Sequence, residues 1–303
     1  MSHPLLSIII VSYNTKELLK QCVNSIIKSL ANSPINELKN IEIIIVDNHS
    51  TDRTREYLLI FKRSHLGKLK TIFNKENLGF AKANNQGIKV AEGKYILLLN
   101  SDTKIVPGAL EKMISFAQKR KDAGIVAPKL LNKGGKTSQA SCYKLPTIRG
   151  AINEYWFGKK GSYEKYLPRG GNPVKVEAAI GAAMLIPKAV VDVVGLLDEK
   201  YFMYFEDLDY CRRVNKSGFM VYYLPQARII HYGGQSGKKK PNKVNHYLTE
   251  SSKKFNGFLK YNLIFIIIKL SRLKKIPFLF LMMLTALLTV ICLLLWLLVL
   301  KRN

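Results

Sequence analysis

The chain has 303 residues, enough for one large domain or two modest ones around a sizeable core. Its apolar content of 48% and aromatic content of 10% are ordinary for a folded protein and exclude a disordered chain. The 48 lysines and arginines against 21 acids leave a formal charge of +27, which calls for an anionic counterpart: nucleic acid, an acidic lipid surface or a phosphate-bearing substrate.

Leu5 to Val11 (LLSIIIV) is a short β-branched run stopped by Ser12-Tyr13-Asn14, the pattern of a buried strand entering a turn. A helical pattern runs from about Lys16 to Leu30, and Ile41 to Val46 (IEIIIV) repeats the strand signature. Asp47 to Asp52 then supplies turn and N-cap chemistry for a helix reaching about Phe61. A third strand is expected near Lys70 to Phe73, a helix over Gly79 to Ala91, and a fourth strand at Tyr95 to Leu99 (YILLL). Strands that are unbroken apolar runs alternating with helices predict a parallel α/β sheet covered on both faces. Ligands of such sheets bind beyond the carboxyl ends of the strands. Tyr13-Asn14, Asp47-Asn48 and Asn100-Ser101-Asp102 all fall there, so three distant segments are expected around one crevice.

From about Leu130 to Val174 the pattern dissolves into glycine, lysine, tyrosine and proline, a loop-rich region. Trp156 and its neighbouring tyrosines either stack on a ring of a bound ligand or anchor a long loop. Val176 to Ile186 reads as another strand and Lys188 to Val194 as a helix. Glu206, Asp207 and Asp209 then crowd three carboxylates into one short stretch, where mutual repulsion raises at least one pKa toward the range of a general base.

Cys22, Cys142, Cys211 and Cys292 are isolated, form no metal spacing and suit a reducing compartment. No apolar run near the N-terminus is long enough for a signal peptide. Phe278 to Leu300 carries no charge, and at about 1.5 Å per residue it is long enough to cross a bilayer. Lys269, Arg272, Lys274 and Lys275 precede it and only Lys301 and Arg302 follow, which places the larger part of the chain on the cytoplasmic side. The expected organisation is a catalytic domain over 1–255, a basic interfacial segment over 256–277 and one transmembrane helix over 278–300, in the inner membrane.

SIIIVSYN (7–14), IIIVDNHSTD (43–52), NLGFAKANNQGI (77–88), GKYILLLNSDT (93–103), GAAMLIPK (181–188) and LDEKYFMYFEDLDYCRR (197–213), followed by His231, occur in the order that the family 2 glycosyltransferases of the GT-A fold keep them. The sequence resembles that family over roughly residues 5 to 235, and within it the bacterial rhamnosyltransferase-like branch. The resemblance implies an inverting transfer from a nucleotide-diphosphate sugar, dTDP-L-rhamnose or a UDP-sugar, to a polyprenyl-diphosphate-linked saccharide at a membrane. It implies a divalent cation, Mn2+ or Mg2+, held by Asp102 in the Asn100-Ser101-Asp102 motif with His231 as a further ligand. One carboxylate holds a hard cation weakly, so the diphosphate must supply further ligands, and a nitrogen donor tilts preference toward manganese. The resemblance makes Asp207 the base. Glu206 and Asp209 become positioning groups, which either hold acceptor hydroxyls or pair with Arg212 and Arg213. It sets Tyr13 against the nucleotide base and Asp47 on the base or ribose, with Asn85 facing them and Ser101 on the donor side.

Three other readings are weaker. A nucleotidyltransferase needs a glycine-rich basic loop after the first strand, where Val11-Ser12-Tyr13-Asn14 stands. A catalytically silent membrane scaffold would have no use for Asp102, Asp207 and His231 together. No nucleic-acid-binding motif accompanies the charge, so nucleic acid is not an expected partner. The glycines and lysines over 233–240 suggest a cationic segment able to close over a diphosphate.

Overall fold

The computed structural model describes residues 3–31, 40–64, 69–233, 241–273, 282–283 and 285–291. The suggested closing segment lies outside the described residues over 234–240, as does most of the expected span over 278–300. Among the described residues no helix is long and apolar enough to cross a membrane.

The first half alternates as expected: β1 (Leu6–Ser12), α1 (Lys16–Ala31), β2 (Ile41–Asp47), α2 (Thr54–Ser64), β3 (Leu69–Phe73), α3 (Phe80–Lys89) and β4 (Tyr95–Asn100). There follow β5 (Thr103–Ile105), α4 (Ala109–Lys119), β6 (Ala123–Leu131), β7 (Cys142–Tyr143), α5 (Ile148–Tyr155), β8 (Val174–Val176) and β9 (Ala178–Ala179). The rest comprises β10 (Ala183–Pro187), α6 (Lys188–Val194), α7 (Glu206–Lys216), β11 (Met220–His231), α8 (Pro241–Asn256) and α9 (Phe258–Ser271).

One sheet runs β3-β2-β1-β4-β10-β6-β11-β5, with β8 also paired to β11. Alternation along each strand sends side chains to opposite faces. Ile8 and Ile10 of β1 join Leu19, Val23 and Ile26 of α1 and Met113 of α4 in one core layer. Ile9, between them, joins Ala81 and Ile88 of α3 and Leu208 and Val214 of α7 in the other. Both faces are covered, so the strands read as continuous apolar runs, and each fully buried isoleucine contributes about 1.5–3 kcal/mol. Gly87 lets α3 lie close on β1, because a Cβ there would come within 2.5 Å of the Ile9 side chain.

The parallel expectation holds for β3-β2-β1-β4 and for β6 beside β11. It fails at β10, which is antiparallel to β4 and β6, and at β5 and β8, which are antiparallel to β11. The chain enters β10 from a turn at the site edge, with no crossover to carry it to the opposite edge first. The single strand expected over Val176 to Ile186 is broken for the same reason. Ala178 and Ala179 leave the sheet to pair with β7, and Gly181 turns inward before β10 begins.

The carboxyl ends of the parallel strands therefore share an edge with the start of β10. Ser12 aligns with Asp47, Asp47 with Phe73, and the Asn100 N–H donates to Ala182 O at 2.9 Å. At the far end of the sheet β5 pairs with β11, setting His231 opposite Thr103.

Candidate active site

At the donor edge, the turn after β1 is tied to the turn after β2. Asn14, at φ 54°, accepts at Oδ1 from the Thr51 N–H (2.7 Å) and hydroxyl, while its own N–H donates to Ser50 Oγ. The Asp52 carboxylate accepts from Lys16 N at the start of α1 and from Thr54 at the start of α2, serving both helix N-termini. Hydroxyls of Ser12, Thr15 and Ser101 form a buried chain at 3.0 and 2.9 Å that joins β1 to the end of β4. Tyr13 is half-buried at this mouth. Asp47 is buried, its Oδ1 has no hydrogen-bond partner, and burial raises its carboxyl against the hydrogen bonds it receives from Ser50.

Asp102 and His231 come together, as the pairing of β5 with β11 requires. The Tyr232 N–H donates to Asp102 O at 2.9 Å, and His231 Nε2 stands 3.4 Å from Asp102 Oδ1. Both side chains are about nine-tenths buried, and His231 Nε2 has no hydrogen-bond partner. His231 Nδ1 lies 2.8 Å from Gln139 Oε1, an acceptor, so Nδ1 is placed to donate to it and Nε2 is turned toward the Asp102 carboxylate. An orphaned imidazole nitrogen, a carboxylate and an outer partner that fixes the tautomer are the donor set a divalent cation fits. Two protein ligands leave the remaining positions to other groups.

The acidic stretch opens α7. Tyr204 and Phe205 precede it at φ 69° and 67°, a conformation bulky side chains rarely adopt, and this pair turns the chain so that the carboxylates start the helix. The loop is braced by α8: Tyr247 stacks on Phe202 at 4.6 Å, Ser251 Oγ donates to Met203 O and Lys254 Nζ to Lys200 O. Asp207 Oδ2 accepts from the Gly181 N–H at 2.9 Å and Oδ1 from the Leu208 N–H at 2.8 Å. Burial raises the Asp207 carboxyl; those two N–H groups and the charge of Lys165 oppose the rise. Glu206 is raised well above the usual range by burial and then by Asp207, and its Oε2 has no partner.

Of the alternatives for Asp209, pairing is the one observed. It is buried and bonded to Arg212 at 2.6 Å and to Arg213 at 2.9 Å, and Arg213 also donates to Val194 O and Leu196 O. Asn85 is a correction. Its Nδ2 donates to Leu197 O and Glu199 Oε1 and its Oδ1 accepts from the Leu197 N–H, so the buried amide clasps the segment leading to the acids instead of facing a nucleotide. Asn48 is likewise consumed, by Asn74, Asn77, Leu78 and Gly79.

Sequence reasoning passed over Gln139, the Gly181 N–H and Lys165. Gln139 and Lys165 lie in the patternless region, and Gly181 acts through its backbone, so no spacing announced them.

Unpaired buried polar atoms are costly and rare. Among the described residues, Asp47 Oδ1, Asn100 Oδ1, Glu206 Oε2 and His231 Nε2 are such atoms within the polar segments singled out above; others, among them Ser29 Oγ, Tyr57 Oη, Glu111 Oε2 and Asn256 Oδ1, lie outside them, so the absence of a partner does not by itself mark the site.

Comparison with known proteins bears on the same residues. The model of the family described as glycosyl transferase family 2 matches residues 7–176. A dTDP-rhamnosyl transferase of Shigella flexneri is 26% identical over 237 residues, 76% of this chain and 70% of its own. An N-acetylglucosaminyl-diphospho-decaprenol L-rhamnosyltransferase of Mycobacterium tuberculosis is 23% identical, covering 66% of this chain and 69% of its own. Among solved structures, GalNAc-T7 with UDP, GalNAc and Mn2+ superposes with a TM-score of 0.60 at 18% identity over 76% of this chain. This chain spans only 44% of that protein's length. A mannosyltransferase of Pyrobaculum calidifontis with GDP-Man and Mn2+ gives 0.57 at 16% identity, covering 84% of this chain and 64% of its own. The match to more than half of the chain, on the GT-A fold, makes this protein a glycosyltransferase belonging to glycosyl transferase family 2.

Proposed function

We propose that the protein transfers L-rhamnose from dTDP-L-rhamnose to a lipid-linked saccharide in one inverting step, in the synthesis of a cell-surface polysaccharide. The observation that carries the reading is a pair of poised centres: Asp102 beside the unpartnered Nε2 of His231, and Asp207 held by two backbone N–H groups next to the buried Glu206. The names of the Shigella and Mycobacterium relatives supply the sugar and the lipid-linked acceptor.

Asp207 takes the proton of the acceptor hydroxyl as that oxygen bonds to the anomeric carbon from the face opposite the leaving group. The bond from that carbon to the diphosphate breaks, and the diphosphate leaves with the electron pair. Burial and the neighbouring Asp207 raise the Glu206 carboxyl well above the usual range, while the two N–H groups on Asp207 favour its ionised form. Asp47 accepts from the ring N–H that uracil and thymine both present, Tyr13 lies against the base, and Ser101 belongs to the donor side. Asp102 and His231 would hold a divalent cation, Mn2+ before Mg2+, which offsets the charge of the departing diphosphate when bound. The catalytic domain works on the cytoplasmic face of the inner membrane, anchored through residues 278–300.

A panel of nucleotide sugars, with Mn2+, Mg2+ or EDTA and with Asp207→Asn in parallel, tests this. The expected result is metal-dependent release of dTDP from dTDP-L-rhamnose, abolished by the substitution. Release of UDP from a UDP-sugar alone would move the donor to the uracil series, since Asp47 accepts equally from either base.

A further inference from the structure

The helix α9 is apolar on two opposite sides. At about 100° per residue, Ile264, Ile267 and Ser271 share one narrow arc. These three are buried, and the two isoleucines pack with Ala151 of α5 while the Trp156 indole N–H donates to Ile267 O at 3.1 Å. Phe258, Leu259, Phe265, Ile266 and Leu273 fall in the opposing arc of about 120°. They are exposed at 76%, 65%, 51%, 43% and 40%. Single exposed apolar residues are ordinary on any surface, whereas four on one face of one helix, with Leu273 in the turn just after it, are not. Phe157, next to Trp156 on the acceptor-side loop, adds another large apolar side chain, exposed at 69%.

The charges within the exposed arc and beside Phe157 are basic, while Glu154 and Glu164 lie on the α5 side, where Glu154 accepts from the Ser162 N–H and Glu164 from the Tyr155 hydroxyl. Lys269 lies inside the exposed arc, Arg272 at its edge, and Lys159 and Lys160 follow Phe157; all four are exposed. No acidic residue follows Glu250 anywhere in the sequence. A protein partner contacting such a surface needs acidic groups threaded among apolar ones. An anionic bilayer offers both without specific geometry, since the apolar side chains enter the acyl boundary and the cations reach the headgroups.

We propose that the outer face of α9, together with Phe157, lies in the headgroup region of an anionic bilayer and sets the acceptor-side loop against the lipid surface. This rests on the membrane part of the function proposed above and requires nothing of the donor or the sugar. The docking of α9 on α5 holds the loop of Trp156 and Phe157 beside the lipid. The preceding helix, α8, braces the segment that carries Glu206 and Asp207. A saccharide whose carrier lies in the membrane would therefore approach from the side on which the base is held.

The test uses the full chain with Cys292→Ser, because Cys22, Cys142 and Cys211 are buried and escape labelling. Phe157→Cys, Phe265→Cys and Ile266→Cys each receive a polarity-sensitive fluorophore, and Lys20→Cys on α1, on the other face of the sheet, serves as control. In vesicles of phosphatidylcholine and phosphatidylglycerol, a nitroxide carried on the lipid should quench the first three labels several-fold more than the control, and aqueous iodide should do the reverse. Vesicles of phosphatidylcholine alone should weaken the lipid quenching at all three. Iodide reaching all three would place the face in water and overturn the proposal. Protection from both quenchers would overturn it too, because a second copy or another part of the chain then covers the face. No turnover is read, so this failure is distinct from failure of the donor panel.

Discussion

The edge proposed for the donor and the side proposed for the acceptor are built in opposite ways. Each strand at the donor edge is specified by its own apolar run, and its polar residues sit at the strand end because the sheet stops there. The acceptor side, from Asn132 to Glu206, has short strands and one short helix before α6, and residues remote in sequence hold it. Asn85 clasps Leu197, Gly181 holds Asp207, Ser251 holds Met203 and Trp156 bonds to Ile267. The difference teaches that the edge proposed for the nucleotide rests on strands each specified by its own run, whereas Asp207, the proposed base, depends also on a bond from the distant Gly181 N–H. Damage on one side should then leave the other measurable.

The largest separation is expected from Asp207→Asn. Turnover should fall by about 10²–10⁴-fold, the usual worth of a general base, while donor affinity by calorimetry stays unchanged. If donor binding vanished as well, the two sides would not be independent. Next in size is Gly79→Ala, which strikes their joint. Gly79 lies at φ 83° and a Cβ there would come within 2.4 Å of Phe202 O, so stability should drop by about 3 kcal/mol, read from denaturant midpoints. A smaller and one-sided effect is expected from Gln139→Leu. Mn2+ affinity measured by titration in the presence of a nucleoside diphosphate should weaken about 10–100-fold, with the melting temperature nearly unchanged.

The smallest effect concerns Glu206 and pH. Its folded-state pKa is raised above the unfolded value, so the folded protein binds more protons and stability declines as pH rises from the ordinary carboxylate range toward the raised value. Glu206→Gln removes that decline, and its melting temperature should vary less with pH above the usual carboxylate pKa. A melting temperature of the native chain that instead rises across that range would show Glu206 to be ionised and stabilised by a partner.

Much of the donor edge was legible because β1, β2 and β4 are β-branched runs covered on both faces, a pattern few other structures produce. The strand β11 was not legible, although it is the longest. Its run MVYYLPQARIIH is interrupted by Pro225, Gln226 and Arg228, which argue against a central strand, and pairing with β6 survives only through a register shift between Leu224 and Arg228. Pro128 hid β6 in the same way. The acids of α7 were visible as a cluster, and the spacing of Asp209 from Arg212 and Arg213 offered the pairing that is observed, but the backbone partner of Asp207 was not visible. Asp209 faces two arginines one turn on and Asp207 a glycine N–H, opposite sides that the helix period sets once the turn through Tyr204 and Phe205 has started α7. Asn85 was misassigned because an amide that holds a backbone segment and an amide that binds a ligand leave the same trace in sequence.

The short antiparallel pairing of β5 with β11 also governs the order in which the molecule becomes competent. Asp102 is synthesised early, within the part of the chain that can already form β1 to β4. His231 arrives only with the last residue of the last strand. During translation a nascent chain can thus complete the nucleotide edge well before it owns both members of the Asp102–His231 pair. A growing polypeptide that has not reached residue 231 has no such pair, and the pairing of β11 with β5 is the step that completes it.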